Sequence, residues 1–402
     1  MLQLVFSQFL GQRETMDPKQ FSEKSPGQLW EISAHGKRDW AFIPAPLPSS
    51  LEMSDELWEL LAQAREELAR LDGLGRMMPN YNLLLKPLQQ REALTSSSLE
   101  GTYATPEQLL VFEIDPQEPK SATSPESSWQ EVANYGKALE LGRQILIEQP
   151  ISLNMIRQMH QQLLAGVRGA SKDPGNFRQT QVHIGSDRRF IPPPPHEVSP
   201  CLYDLELAIR QEDKAIHPLI FCFMAHYQFE AIHPFLDGNG RVGRSLLSLM
   251  IYQQCHLKHP WLYLSAFFER YKDEYIDLLF KVSTQGDWSS WIKFCLRGTV
   301  EQSVDSIQRF DALLSLRNQY TEQLIEMGGN IKLTRLVDYL FERSPAITAR
   351  QAANFCNLSN PTARSQIERL VKAGILVEST FVKRPKIFIA PAIFKIVFGE
   401  IN

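Results

Sequence analysis

AHYQFEAIHPFLDGNGRVGRSLLSLMIYQ, residues 225–253, is the most informative segment of this chain. It begins as an apolar helix, and Pro234 disfavours a helical backbone at His233, so that helix should end there. Three explanations compete for the residues around and beyond this break. His226, Glu230, His233 and Asp237, spaced by four, three and four, would share a helical face and could cage a metal. The break at Pro234 takes Asp237 off that face. Gly238, Gly240 and Gly243 match GxGxxG, but the dinucleotide fingerprint needs a preceding strand and a βαβ unit, and helices surround this one. The third explanation is a phosphate cradle. Gly238, Asn239 and Gly240 permit a turn whose amides converge, and a helix beginning near Arg241 adds its free N–H groups and positive dipole end. Arg241 and Arg244 in its first turn oppose that dipole, so an anion should compensate them. Asp237 could hold Mg²⁺ against the same phosphates, with His233 beside them as a candidate general base. The alternative to a site is a capped loop with a satisfied histidine and solvated arginines. That serves for His233 or Asp237 alone, but less well for all of them within twelve residues.

HPFLDGNGRVGR, 233–244, resembles the signature of Fic-family adenylyltransferases, His-x-Phe-x-Asp/Glu-Gly-Asn-Gly-Arg-x-x-Arg, at every fixed position. The resemblance extends over FIPAPLPSS (42–50), LARLDGLGRMMPN (68–80), REALTSSSLEGT (91–102), FRQTQVHIG (177–185), IPPPPHEV (191–198) and GDWSSWIKF (286–294), roughly residues 41–325. It implies a mainly α fold: a Fic helical core with a β-hairpin flap, an N-terminal helical inhibitory region and a C-terminal winged helix. It also implies a chemistry. A protein hydroxyl (Tyr, Ser or Thr, on a target or on the chain itself) attacks the α-phosphate of ATP, His233 takes its proton, and pyrophosphate leaves. By the same resemblance Asp237 holds Mg²⁺. Gly238, Asn239 and Gly240 form the anion hole, within an ATP site that also takes in Val242 and Gly243. Arg241 and Arg244 neutralise the remaining charge, and Phe235 anchors the loop. His226 and Glu230 read as structural. Tyr275 falls in a segment that lines the adenine pocket in similar proteins, although the neighbouring aromatic of some relatives is Ile276 here; a plain core aromatic is the equal alternative.

Two flanking segments extend the resemblance. Residues 181–191, QVHIGSDRRFI, read as strand, turn and strand before the stiff run Pro192–Pro195. They resemble the family's flap, which implies that Val182, His183, Ile184 and Gly185 meet the target segment or the nucleotide by strand pairing. Ser96 to Gly101 end a predicted helix, with Gly101 suited to the left-handed cap position. Glu100 then sits poorly at the negative dipole end, a conflict that an arginine partner would remove. The segment resembles the family's inhibitory motif, Ser/Thr-x-x-x-Glu-Gly/Asn. This implies that Glu100 pairs with Arg244 in the γ-phosphate position, supported by Ser96. AMP removal, with Glu100 positioning a water, stays open.

At 402 residues the chain is too long for one core. Residues 1–40 read as an irregular extension and 41–128 as a helical region with the inhibitory motif. In the latter, helices run over Asp55–Leu71, stopped by Gly73, and roughly Asn82–Glu100, followed by a linker at 115–128. Residues 129–325 read as the catalytic core and 330–402 as a winged helix-turn-helix. That tail carries eleven Lys and Arg against five Asp and Glu, +6, while the rest of the chain carries −10. The net −4 speaks against wholesale nucleic-acid binding. The tail's asymmetry fits DNA contact through Thr362, Arg364, Ser365 and Arg369, or protein docking. Five scattered cysteines fit a reducing compartment. The start lacks a basic leader, and no apolar run reaches the roughly 18 residues of a membrane helix, so a cytoplasmic location is expected. Two other function classes remain beside the autoinhibited transferase: a transcriptional regulator whose core only senses nucleotide, and a toxin-neutralising module using Glu100. The first has no need of a general base, and the second does not carry its own engine.

Overall fold

The computed structural model describes residues 15–399, apart from 35–36, 78–80, 120, 122–123, 168–170, 186–187, 212–213, 330 and 381–383. Within the extension expected to be irregular, β1 (Gly27–Ala34) and β2 (Lys37–Pro44) form an antiparallel pair, registered from Gly27↔Pro44 to Ala34↔Lys37. The alternation is hard to read because Asp39, in the middle of β2, is itself buried. Its carboxylate accepts from the Met16 amide and pairs with Arg188. Phe42 and Ala41 face inward beside it.

Helix α1 (Asp55–Met77) runs past the expected stop at Gly73. The cause is tertiary. A Cβ on Gly75 would lie 2.2 Å from the indole of Trp261, so a glycine is needed inside the helix for close packing. The Trp261 Nε1 donates to Asp72 at 3.0 Å and Arg76 pairs with the same carboxylate, which fastens the extra turn. α2 (Asn82–Leu99) follows, then α3 (Pro106–Ile114), opened by a Thr105/Gln108 capping box. α4 (Pro125–Ile145) begins inside the expected linker, which is therefore shorter. α5 (Leu153–Leu163), α6 (Pro195–Arg210), α7 (Pro218–Ile232) and α8 (Asn239–Gln254) complete the centre. α7 is apolar on all sides and buried almost throughout, as a helix at the middle of a bundle must be. α9 (Ser265–Arg270), α10 (Lys272–Gln285) and the 39-residue α11 (Trp288–Glu326) close the bundle, with α1 lying along α11.

Of the expected hairpin at 181–191, the described residues show one bridge, Ile184 with Phe190. Side chains take carbonyls that a longer ladder would use: Gln181 donates to Pro192 O and Arg178 to Pro193 O.

The C-terminal region contains α12 (Ile331–Glu342), β3 (Ala346–Thr348), α13 (Ala349–Cys356), α14 (Asn360–Lys372), β4 (Val377–Glu378), β5 (Ile387–Ile389) and α15 (Pro391–Phe398). Its antiparallel sheet has the order β3-β5-β4, and α13 and α14 form a helix-turn-helix. Thr362, Arg364 and Ser365 of α14 are exposed. The region's core of Leu333, Leu336, Leu340, Ile347 and Ile367 includes Leu313, Tyr320 and Leu324 of α11, while Leu110 and Val111 of α3 pack on Ile387 and Ile389. No helix of the described residues is long and apolar enough to cross a membrane.

Candidate active site

The site is built where α7 ends and α8 begins. His233 caps α7 in the left-handed region, φ 49° and ψ 62°, with its amide on Phe229 O. Few non-glycine residues adopt this conformation, so neighbours must enforce it. Arg178, 1% exposed, does so. Its Nε donates to His233 O at 2.8 Å, Nη2 to Ile232 O and Pro193 O, Nη1 to Thr180 O, and its own amide to Pro234 O. One guanidinium thus satisfies the carbonyls freed at the helix end.

The loop from Pro234 to Gly238 is fixed from within and beneath. The Asn239 amide makes two bonds to Phe235, accepting from its N–H at 2.8 Å and donating to its carbonyl at 2.9 Å. Phe235 is fully buried and stacks on His160 with ring centroids 3.7 Å apart. His160 Nδ1 accepts from the Gly175 amide, which leaves Nε2 to donate to Asp237 O at 2.9 Å. Burial lowers His160 to about 4, so this ring is a neutral strut. Gly238, at φ +78°, caps α8, which starts at Asn239 rather than near Arg241. The amides at its start have no intrahelical carbonyl to meet. Arg241 therefore lies in the first turn, and Arg244 in the second.

Both arginines are compensated, by carboxylates of the chain itself. Arg241 is 1% exposed and donates to Glu131 of α4 at 3.0 Å; Glu131 also accepts from Thr102 Oγ1. Its other terminal nitrogen stands 3.5 Å from Asp237 Oδ1. Arg244 is held by the end of α2. Its Nε donates to Ser96 Oγ at 2.9 Å, and Nη2 to Ser96 O at 2.8 Å and Glu100 Oε1 at 2.9 Å. A Cβ on Gly240 would lie 2.2 Å from that Glu100 oxygen, so the carboxylate rests directly on the opening turn of α8. Glu100 thus occupies the anion position of the helix N-terminus. Burial alone would raise its pKa, but the charge and hydrogen bond of Arg244, with Arg241 and His233 nearby, together lower it, while Arg244 is raised in turn. At the end of α2, Gly101 is left-handed as expected, and Lys272 donates to Leu99 O.

His233 is pushed down to about 4 by burial, reinforced by Arg178, so it is neutral near pH 7. Its Nδ1 is buried without a hydrogen-bond partner among the described residues. Asp237 keeps 35% of its side chain exposed. His226 is wholly buried, bonded to Gly243 O and the Tyr275 hydroxyl, and lowered to about 3 by burial. Tyr275 is 5% exposed and stacks on Phe268 at 4.4 Å. It stands in an aromatic core that backs the site. Glu230 is pushed up to about 8 by burial, and its Oε1 lies where a Cβ on Gly243 would intrude, so that glycine sets the α7–α8 approach. Val242 is buried behind the loop. His226, Glu230, His233 and Asp237 do not converge, and no cluster of His, Cys, Asp or Glu suited to a metal occurs among the described residues.

The segment expected to form a flap is tied in at both ends. Arg178 joins Pro193 and Thr180 to the end of α7, Arg188 reaches Asp39, and Arg189 covers the Phe280 ring at 4.1 Å and pairs with Asp277. Val182 and Ile184 are half-buried, His183 and Gly185 exposed.

Residues 58–144 match a family model described as Fic/DOC family N-terminal, and residues 150–251 one described as Fic/DOC family. Curated relatives include the protein adenylyltransferase Fic of Drosophila persimilis, 26% identical over 214 residues, 50% of this chain and 36% of that protein. The one from Culex quinquefasciatus is 30% identical over 159 residues, 39% of this chain and 29% of that protein. The chain spans 36% or less of the length of either. Among solved structures, a Fic family protein from Desulfovibrio desulfuricans G20 superposes with a TM-score of 0.55 at 19% identity, covering 85% of this chain and 97% of that one. Fic-1 from C. elegans gives 0.52 at 20% identity, covering 64% and 73%. At these identities the likeness establishes the fold.

Proposed function

We propose that this chain, which carries the Fic/DOC N-terminal and core regions and so belongs to that family, is an autoinhibited protein adenylyltransferase. The observation that carries the reading is the Glu100 carboxylate lying on the first turn of α8, 2.9 Å from Arg244. A carboxylate there marks an anion site that the chain fills itself. Displacing it frees a helix N-terminus and one buried arginine, which suits a nucleotide phosphate.

With ATP in that position, the oxygen of a protein hydroxyl attacks the α-phosphorus. His233, neutral and free to accept, takes the hydroxyl proton as the new P–O bond forms. The bond to the β-phosphate breaks, and pyrophosphate leaves. The amides at Gly238–Gly240 and the Arg244 guanidinium supply fixed donors where charge gathers, which is most of what such a transfer asks of a protein. The residues also fit Mg²⁺. That ion commonly takes one or two protein carboxylates and fills its shell with phosphate oxygens and water, and Asp237 is a single accessible carboxylate beside the cradle. When bound, it would neutralise phosphate charge. Tyr275 contributes by fixing His226 behind the site, and the flap segment 182–185 borders the place where a target backbone would lie.

The test is intact-mass spectrometry of wild type, Glu100→Gly and Glu100→Gly/His233→Ala after incubation with ATP and Mg²⁺. An added AMP on Glu100→Gly alone is expected. Equal modification of wild type would remove the brake, and modification of the double variant would remove His233 as the base. No AMP on any of them, with a carried AMP lost from a modified substrate, would make AMP removal the activity.

A further inference from the structure

The two arginines of the site have counterions of different kinds. Glu100, the partner of Arg244, caps the end of α2 and keeps 38% of its side chain exposed. It can leave. Glu131, the partner of Arg241, sits within α4 with its side chain 2% exposed against 1% for the arginine. It also accepts from Thr102, one residue past Gly101. A buried ion pair with a further hydrogen bond cannot be opened cheaply, because removing either member strands a charge in the interior.

We infer that Glu131 is a positioning residue, which neutralises Arg241 permanently and so makes it the holder of Asp237 instead of a phosphate contact. The charge of Arg241 is matched before any nucleotide arrives, and its guanidinium lies behind the loop. One terminal nitrogen is fixed on Glu131, and the other is aimed at Asp237 Oδ1 3.5 Å away. Thr102, Glu131, Arg241 and Asp237 form a chain that leads from the residue after the inhibitory motif to the carboxylate that faces solvent. Only Arg244, whose partner can be displaced, is left to meet phosphate. The two arginines of one helix are divided by the kind of carboxylate each has beside it.

The inference rests on the nucleotide reading of the site, and the experiment separates the two. In a Glu100→Gly parent, ATP binding is measured by calorimetry, first in EDTA and then across a Mg²⁺ titration. Two variants are compared in that background: Glu131→Gln, and Glu131→Leu/Arg241→Met, which replaces the pair with apolar groups. In Glu131→Gln the unmatched Arg241 should close onto Asp237, so the Mg²⁺ needed for half-maximal tightening rises about tenfold, the usual scale for losing a partner that orients a metal-binding group. The double variant should bind metal-free ATP as the parent does, since no phosphate contact has been removed. Loss of metal-free ATP binding in the double variant, or an unchanged Mg²⁺ requirement in Glu131→Gln, overturns the inference. A parent that binds no ATP overturns the nucleotide reading itself, and the inference with it. Should Glu131→Gln fail to fold, the double variant carries the test alone.

Discussion

His233 is neutral because it is buried, and the same holds for its neighbours. Burial lowers His160 and His233 to about 4 and His226 to about 3, and it lowers His217 and His259 as well. In the unfolded chain these rings titrate near 6.5. Below that pH the unfolded state takes up protons that the folded state refuses, so stability falls as pH drops from about 6.5 towards 4. Glu92 and Glu230, raised by burial, work the other way, but they are two against five. The melting temperature should therefore fall steadily over this window. Activity should behave differently. In the Glu100→Gly protein, transfer per folded molecule should stay flat from pH 7.5 to 6, measured as initial AMP incorporation at saturating ATP. An acid limb near 6.5 would mean that the base is not His233 in this environment.

At the scale of elements, the junction of α7 and α8 owes its shape to Arg178, whose fork fits four carbonyls. A lysine keeps the charge but cannot reproduce that fan of donors. Arg178→Lys should leave the KM for ATP nearly unchanged and lower kcat by about a hundredfold, the scale for an ångström of misplacement of a reacting group. A fall confined to KM would show that the junction serves binding alone. This residue also shows where the sequence stops being readable. The break at Pro234, the glycines of the cradle and the left-handed Gly101 are local, so short spacing rules find them. Arg178, His160 and Glu131 meet their partners across 55, 77 and 110 positions, and nothing in their own neighbourhoods announces it. The compensating anion that two arginines demand was legible, and the resemblance of the Ser96–Gly101 segment named Glu100 for Arg244, but nothing in the sequence named Glu131 for Arg241. β1 and β2 were hidden for a related reason, since the charge at Asp39 is buried where Arg188, distant in sequence, comes to pair with it. Gly73 read as a stop because the indole that holds the helix on past it, and needs Gly75 there, lies far along the chain.

Across the whole molecule, α2, the helix that ends at Glu100, is gripped by parts of the chain remote from the site. Near its start, Lys86 and Gln90 reach Glu113 of α3. In its middle, Arg91 pairs with Asp305 of α11, while Glu92 accepts from the Tyr135 and Ser265 hydroxyls. Asp305 is also held by Arg309, both oxygens at 2.9 Å. Arg309 in turn donates to the carbonyls of Ile396, Val397 and Gly399, at the end of α15. An unbroken polar path therefore runs from the last helix, through Arg309, Asp305 and Arg91, to the helix that places Ser96 and Glu100 on Arg244. α2 keeps Glu100 in the cradle only while its own position is fixed. Arg309→Ala cuts the path at its outer end, leaving the carbonyls of α15 without this donor and Asp305 with one partner. If Glu100 is the proposed brake, AMP incorporation by an otherwise wild-type chain should then rise severalfold above the wild-type rate, because Glu100 leaves the cradle more often. The same substitution on the Glu100→Gly background should not raise the rate further, since there is no brake left to loosen. A lower melting temperature without a faster basal rate would make the path a structural clamp only.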